Sequence, residues 1–297
     1  MKTTDSVKLL LLAAIWGASF LFMRIAVPEM GAINTAFLRG LFGALGLALV
    51  MLLMRKPFSY QGKFRIILLL GMFNAGLPFL MYCLAAQILP AGYSAILNAT
   101  TPIMGALIGA SFFQQQLTAN NVVGMGLGFA GILLITTTGD SAMSAHLASG
   151  VLACLIATAC YGMAGYLAKR WTGGLDATQS AFASQVGATL FLLPFFAFNF
   201  SNTPGTSWTH VQAWMCILSL GFICTALAYI LYFRLITDIG PLKSMTVTFL
   251  IPPFGILWGW LVLDETLNQG FAIGAALICV AVWLVVRPPR AAAIRKP

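Results

Sequence analysis

The chain has 297 residues, of which 60% are hydrophobic and only 8% are charged, and its formal net charge is +9. An ordinary soluble domain is about 45–50% apolar and about 25% charged, because its surface must face water. The composition therefore excludes a typical soluble protein and indicates that lipid surrounds most of the chain.

Ten apolar runs follow one another along the chain, each close to the roughly 20 residues that an α-helix needs to cross a bilayer. Because lipid offers the backbone no hydrogen-bond partners, each run is predicted to be helical. The first run begins like a signal peptide but is too long for a cleaved one, so we expect it to be retained. The predicted helices span 7–27, 32–54, 64–89, 91–113, 121–138, 149–168, 177–200, 211–236, 240–263 and 268–286.

Positive charge is concentrated in alternate loops. With the first residue inside, fourteen of the sixteen Lys and Arg residues lie on the cytoplasmic side, as the positive-inside rule requires. These are Lys2, Lys8, Arg55, Lys56, Lys63, Arg65, Lys169, Arg170, Arg234, Lys243, Arg287, Arg290, Arg295 and Lys296. The distribution predicts a bacterial-type inner (plasma) membrane protein with both termini cytoplasmic, and it explains the net charge without a nucleic-acid partner.

The two halves of the chain are related in sequence. At an offset of 145 residues near the start of each half and of 150 residues later, the matched pairs include Trp16 with Tyr161, Gly17 with Gly162, Gly71 with Gly221, Tyr82 with Tyr232, Pro102 with Pro252 and Gly105 with Gly255. Each half holds five helices, so the second half must enter the bilayer from the opposite side. We therefore predict an all-α membrane protein of two inverted five-helix repeats, at 1–139 and 148–287, with a basic cytoplasmic tail at 288–297.

Inverted repeats are the usual construction of secondary transporters, which work by alternating access. An intramembrane enzyme is the weaker alternative, because the two histidines, His146 and His210, lie in predicted loops and the HExxH and GxSxG motifs are absent. No P-loop motif is present for ATP, and no spacing predicts a metal or a cofactor. A channel-like facilitator of small solutes remains the other alternative.

Several short motifs resemble those of EamA-type members of the drug/metabolite transporter superfamily over essentially the whole chain. They are the sequences WGASF at 16–20, FLRG at 37–40, NATTP at 98–102, PPF at 252–254 and DETL at 264–267. The resemblance implies export or exchange of amino acids, related metabolites or drugs. One departure is visible, since the family usually carries Glu after the fourth helix whereas this chain has Gln115, which matches Glu265 in the repeat.

Arg39 is the main candidate for substrate binding. An ionisable residue within a membrane helix is costly to bury and is therefore a functional hypothesis by default. Its guanidinium is suited to a bidentate pair with a substrate carboxylate. The structural alternative is that it reaches towards the outer side and pairs with Glu29, Asp264 or Glu265.

Polar and aromatic side chains on repeat-related helices complete the predicted site. Their spacing places several of them on shared helix faces, and inverted symmetry would turn those faces to a common centre. Such a pocket suits an apolar or aromatic small molecule with a polar end, while helix packing is the alternative role for each residue. The predicted substrate-binding residues are Trp16, Ser19, Phe20, Arg39, Asn74, Tyr82, Ser94, Asn98, Thr101, Tyr161, Thr225, Tyr229, Ser244 and Thr248. A monomer and a homodimer are both compatible with this prediction.

Overall fold

The computed structural model of the chain describes residues 3–137, 141–202, 208–240, 244, 246–266 and 268–286, without the side chains of 141–146 and 201–202. Several of the predicted features lie outside these residues. They are the basic tail at 288–297 and the predicted cytoplasmic residues Lys2, Lys243 and Arg287.

The described residues form ten apolar helices. These are α1 (Thr3–Met30), α2 (Ala32–Leu53), α3 (Phe64–Ala86), α4 (Ala91–Phe112), α5 (Ala119–Thr137), α6 (Ser141–Trp171), α7 (Ala177–Asn202), α8 (Val211–Ile239), α9 (Val247–Leu263) and α10 (Gln269–Val286). All except α9, which has 17 residues, are long and apolar enough to cross a membrane on these criteria alone. No strand occurs in this described part, which confirms the all-α membrane fold.

The prediction was wrong about where the ninth helix begins. It placed the first residue at Gly240, but Gly240 is not helical; among the described residues after it, Ser244 is helical and the helix Val247–Leu263 follows Thr246. Gly240 has φ 84 and donates its N–H to the carbonyl of Ile236 at 2.9 Å, so it ends α8 instead. A positive φ is tolerated by glycine because it has no Cβ, and glycine is common at this position after a helix.

The packing of the helices shows the inverted repeat. α1 packs against α9, and α6, the counterpart of α1, packs against α4, the counterpart of α9. In the same way α3 packs against α7 and α8 packs against α2. In two further pairs a helix packs against its own counterpart in the other repeat, namely α2 against α7 and α5 against α10. The molecule is therefore built from two inverted five-helix halves, as predicted.

Two helix crossings are closed by glycine pairs at repeat-related places. A Cβ added to Gly162 of α6 would lie 2.9 Å from the Cα of Gly105 in α4. A Cβ added to Gly17 of α1 would likewise lie 2.9 Å from the backbone nitrogen of Gly255 in α9. Small residues let membrane helices approach through their backbones, so these four glycines allow the close approach of α1 to α9 and of α4 to α6.

Both α3 and α8 contain π-helical turns at matching positions of the repeat, at Met72–Gly76 and Ser219–Leu227. In α3 the cause is Pro78, which has no N–H to donate to the carbonyl four residues earlier. In α8 the hydroxyl of Thr225 donates to the carbonyl of Leu220, five residues earlier, at 2.9 Å. Single π-helical turns inside α-helices occur frequently at functional sites.

One end of the bundle, where α1 begins, carries the lysines Lys8, Lys56 and Lys63, and we call it the basic end. Lys8 Nζ lies 2.7 Å from the carboxylate of Asp238, which joins α1 to α8. Lys56 Nζ lies 2.8 Å from Asp176, which joins the loops after α2 and α6. These contacts bring together the loops that the sequence assigned to one side.

The opposite end, which we call the distal end, is closed by Arg24 and Glu265. Arg24 Nη1 donates to the carbonyl of Ala86 at 2.7 Å, and its Nε lies 3.9 Å from Oε1 of Glu265. The two oxygens of Glu265 accept the N–H of Ala91 at 2.9 and 3.0 Å. The ends of α1, α3 and α9 and the start of α4 are thereby linked.

Gln115 occupies the position in the first repeat that Glu265 occupies in the second. Each donates its N–H to the carbonyl six residues earlier, at 3.0 Å for Gln115 and 3.2 Å for Glu265. Glu265 accepts the N–H of Ala91, whereas the residue of the sequence that matches Ala91 is Pro241, which has no N–H. A carboxylate acceptor at position 115 would therefore have no equivalent backbone donor.

Candidate functional site

A cavity of about 320 Å³ lies between the two repeats. Helices α1 to α4 of the first repeat and α6, α8 and α9 of the second contribute its walls. All of the predicted site residues line it except Ser94 and Ser244. Those that line it are Trp16, Ser19, Phe20, Arg39, Asn74, Tyr82, Asn98, Thr101, Tyr161, Thr225, Tyr229 and Thr248.

Ser94 and Ser244 are not among the residues that line the cavity. The hydroxyl of Ser94 accepts a weak hydrogen bond from Cys154 Sγ of α6 at 3.9 Å. The hydroxyl of Ser244 donates to the carbonyl of Gly240 at 2.8 Å. Ser94 and Asn98 lie in the same regular segment of α4, but Asn98 lines the cavity whereas the hydroxyl of Ser94 contacts α6.

The interruption in α4 falls at Ala99 and Thr100, and the second segment of the helix begins with Thr101 and Pro102. Because proline has no N–H, the carbonyl of Asn98 loses its usual helical donor, and Thr101 Oγ1 donates to it at 2.7 Å instead. Tyr82 Oη donates to the side-chain oxygen of Asn98 at 2.9 Å. Side chains thus satisfy the irregular backbone, as they must at this depth, and the break places an amide and a hydroxyl at the cavity.

Six further residues line the cavity that were not among the predicted site residues: Met23, Phe79, Cys224, Tyr232, Val247 and Ile251. The repeat alignment contained a signal for four of these. Phe79 matches Tyr229, Cys224 matches Asn74, Tyr232 matches Tyr82 and Ile251 matches Thr101. These four would have been found if the repeat counterpart of every predicted site residue had also been counted as a site residue. Nothing in the repeat alignment indicates Met23 or Val247.

Arg39 is buried in the wall of the cavity, with an exposed fraction of 7%. Its Cζ lies 3.9 Å from the centre of the Phe79 ring, and its Nη1 lies 3.4 Å from the sulfur of Met23. Its Nε has no hydrogen-bond partner among the described residues. A guanidinium stacked on an aromatic face is held in place by a cation–π contact, which leaves the charge itself unneutralised.

The acids proposed as structural partners of Arg39 are engaged elsewhere or exposed. Glu265 contacts Arg24 and the N–H of Ala91. Glu29 lies 3.9 Å from Nε2 of His210. Asp264 is exposed at the end of α9. Across the described residues Arg39 therefore has no ion pair, and the structural alternative of an Arg39 carboxylate pair is not found.

Aromatic rings form much of the remaining wall, and repeat-related residues meet there. The rings of Trp16 and Tyr232 are 5.4 Å apart, and those of Phe20 and Tyr82 are 5.4 Å apart at a steep angle. Tyr82 also faces Tyr161 at 6.2 Å. Flat apolar surfaces with hydroxyl groups at their edges suit an aromatic or apolar solute that carries a few polar atoms.

The cavity is closed at the distal end. Its residues nearest that end, such as Phe20, Phe79 and Tyr82, are buried, whereas Tyr161 and Tyr232 towards the basic end are half-buried. Packing agrees, because α1 contacts α2, α3 and α4, whereas α6 makes no contact of comparable extent with α7, α8 or α9 in the part of the chain that is described. The two repeats therefore differ in conformation, and the path to solvent lies towards the basic end.

The described residues contain no group of three or more His, Cys, Asp and Glu side chains that could hold a metal ion. Arg39 is the one formally charged side chain among the residues that line the cavity. The site as described can therefore offer a cation, hydroxyl and amide groups and aromatic faces to a ligand.

A family model described as the EamA-like transporter family matches this chain at residues 6–137 and 148–287. A solved crystal structure matches it with a TM-score of 0.62 over 96% of this chain and 98% of that one. The sequence identity to that structure is 13%, so the likeness bears on the fold alone.

Curated relatives match over nearly their full lengths. An uncharacterized transporter, YoaV of Bacillus subtilis, is 25% identical over 91% of this chain and 92% of its own length. A protein of Streptantibioticus cattleyicolor named "probable terminal-alkyne amino-acid exporter" is 24% identical over 97% and 95%. An Escherichia coli protein named "probable amino-acid metabolite efflux pump" is 21% identical over 96% of both chains.

Proposed function

The chain belongs to the EamA-like transporter family, and from this we propose that it is a secondary transporter that exports or exchanges small organic metabolites by alternating access. The observation that carries the proposal is a cavity built from both repeats and closed at one end only. If the two repeats exchanged conformations, the distal end would open and the basic end would close around the same residues.

Amino acids or related compounds are the proposed substrate class. Two relatives are named as an amino-acid exporter and an amino-acid metabolite efflux pump, which supports this class for the present chain. The buried and unpaired guanidinium of Arg39 is suited to a carboxylate. In this proposal Arg39 holds the carboxylate, the aromatic rings enclose the body of the substrate, and Asn98 and Thr101 contact its polar atoms.

We further propose that the basic end faces the cytoplasm, in a bacterial-type inner membrane. The lysines Lys8, Lys56 and Lys63 lie at this end, and an excess of Lys and Arg is typical of cytoplasmic loops. In that orientation the cavity opens towards the cytoplasm, from which an exporter takes its substrate. Accessibility labelling of residues in the loops at each end would test the orientation.

The two rival functions are an intramembrane enzyme and a channel-like facilitator. The family and the named relatives are transporters, and transporters are not enzymes. A channel-like facilitator needs no second conformation, so neither the repeat nor its asymmetry would be required for its function. The carrier proposal uses both features.

The test is transport by purified protein in proteoliposomes, with labelled amino acids and their N-acylated derivatives screened in parallel. A carrier gives uptake that saturates with concentration, and preloading the vesicles with unlabelled substrate accelerates it. Arg39→Met serves as the site variant, and protein-free vesicles serve as the blank. Flux that rises linearly with concentration and shows no acceleration by substrate on the far side would instead indicate a channel.

A further inference from the structure

The charge balance of the cavity is unusual for a site that would bind amino acids. Arg39 contributes a full positive charge, and none of the other residues lining the cavity is an acid. A free amino acid carries an ammonium as well as a carboxylate, and a negative group in the wall is what would balance the charge of that ammonium. Among the residues that line the described cavity there is none.

Acidic side chains outside the cavity do not supply this negative charge. Glu265 is held by Arg24 and by the N–H of Ala91, and Lys8 holds Asp238 at the basic end. A buried charge without a partner is costly, and the cost is relieved when an opposite charge binds. The ligand that restores neutrality is therefore a monoanion.

Three hydroxyl groups of the cavity wall, on Ser19, Thr101 and Thr225, have their protons committed to the backbone. Ser19 Oγ donates to the carbonyl of Trp16 at 2.6 Å. Thr101 and Thr225 likewise donate to carbonyls of their own helices, at 2.7 and 2.9 Å. Their oxygens are left to accept hydrogen bonds, which suits an N–H or O–H donor on the ligand.

We infer that the cavity selects organic monoanions, each a carboxylate on an aromatic or apolar body with at most an uncharged hydrogen-bond donor, over zwitterions and cations. This inference rests on the proposed function and narrows its substrate class. N-acylated aromatic amino acids and aryl-substituted carboxylic acids are ligands of this chemistry. With such a ligand the cavity becomes neutral, with a zwitterion it keeps its positive charge, and with a cation the charge doubles.

Four ligands that share one phenylpropyl body separate these cases. They are 3-phenylpropionate and N-acetylphenylalanine as anions, phenylalanine as the zwitterion, and 3-phenylpropylamine as the cation. Binding to the full-length protein in detergent is measured at neutral pH by calorimetry. We expect both anions to bind at least tenfold more tightly than phenylalanine and the amine to bind most weakly.

Substitutions of Arg39 test the origin of this order. Arg39→Lys keeps the positive charge, so the order is expected to persist with weaker binding of the anions, because Lys cannot form the bidentate pair. Arg39→Met removes the charge, and the anions should then lose their advantage over phenylalanine. If either variant fails to fold, the order measured with the natural protein is itself the test.

The inference is overturned if phenylalanine or the amine binds the natural protein as tightly as the anions, if none of the four binds, or if Arg39→Met leaves the order unchanged. Failure of the proposed function has a different signature. It would show as flux in proteoliposomes that neither saturates nor responds to substrate on the far side, whatever the order of binding in detergent.

Discussion

Arg24 and Glu265 meet across the distal end of the bundle, with Nε of the arginine 3.9 Å from Oε1 of the glutamate. The matching residues of the other repeat are Lys169 and Gln115, which together carry no acid. An ion pair is therefore available at one end of the cavity and not at the repeat-related place of the other. This difference favours the conformation that is closed at the distal end.

Glu265→Gln should weaken this closure. The pair is partly exposed, so we expect a loss of about 0.5–1 kcal/mol and a two- to fivefold rise in the distally open population. Cys224 lines the cavity and can report the change. The measurement is the rate at which a membrane-impermeant maleimide, added from the distal side, labels Cys224, with the labelled cysteine identified by mass spectrometry.

Asp264→Asn is the matched control, because it removes the same charge from the neighbouring exposed residue. Its labelling rate should equal that of the natural protein. Equal rates for Glu265→Gln and Asp264→Asn would mean that the contact of Glu265 with Arg24 does not hold the distal end closed.

Gly162→Ala should destabilise the protein. The added Cβ would lie 2.9 Å from the Cα of Gly105, a backbone atom that cannot move without shifting α4. Overpacking of this kind costs about 1–3 kcal/mol. Gly165→Ala in the same helix is the control, because its Cβ would meet nothing within 4 Å. Thermal unfolding in detergent should show a lower Tm for Gly162→Ala alone, and similar values for both variants would contradict the close crossing.

Thr225→Val should lower stability through the π-helical segment of α8. Thr225 is buried, and its hydroxyl donates to the carbonyl of Leu220, so the substitution leaves that carbonyl without this donor at a cost of about 1 kcal/mol. Thr237 makes a similar bond to the carbonyl of Phe233 near the exposed end of the same helix. Thr237→Val should change the unfolding temperature less, since water can replace the lost bond there. The reverse ranking would argue against a structural role for the buried hydroxyl.

The contact of Lys56 with Asp176 at the basic end should depend on pH. Partial burial opposes ionisation of Asp176, but hydrogen bonds from Lys56 and Thr178 outweigh it and hold the pKa of this carboxyl below its ordinary value. A lowered pKa means that the contact stabilises the fold above the ordinary pKa of about 3.9 and is lost as pH falls through the lower value. Because the pair is exposed, the effect is about 0.5 kcal/mol.

The measurement is thermal unfolding of the natural protein and of Lys56→Met between pH 3 and pH 7, and the difference between them should shrink below about pH 4. Lys63→Met is the control, since Lys63 donates to the carbonyl of Gly173, which does not titrate. A difference for Lys56→Met that stays constant with pH would rule out this linkage.

The sequence was sufficient for the fold because hydrophobic length and the period of the repeat are properties of the chain itself. Ten apolar runs and an odd number of helices in each half determine the inverted architecture without knowledge of any contact. The interruption of α4 was missed, because the prediction joined the apolar residues on both sides of the polar stretch Asn98–Thr101 into one continuous helix. Pro102 was the available signal, because the residues before a proline are displaced from regular helix.

The candidate site was predicted less completely, for reasons that depend on contacts. Whether Arg39 pairs with an acid is decided by which helix ends meet at the distal end, and there Arg24 contacts Glu265. Ser94 shares the spacing of Asn98 and Thr101, but its hydroxyl contacts Cys154 of α6 and it does not line the cavity. Helical spacing places residues on a common face, but the neighbouring helices decide which part of that face borders the cavity.

The glycine crossings have a mechanical consequence. Where Gly17 meets Gly255 and Gly105 meets Gly162, backbones touch without intervening side chains, so each crossing can act as a fulcrum near the middle of its helices. A helix of about 24 residues is about 36 Å long, so a tilt of about 10° around its midpoint moves each tip by about 3 Å. The two ends of such a helix move in opposite directions, so a single tilt would open the cavity at one end of the bundle while closing it at the other.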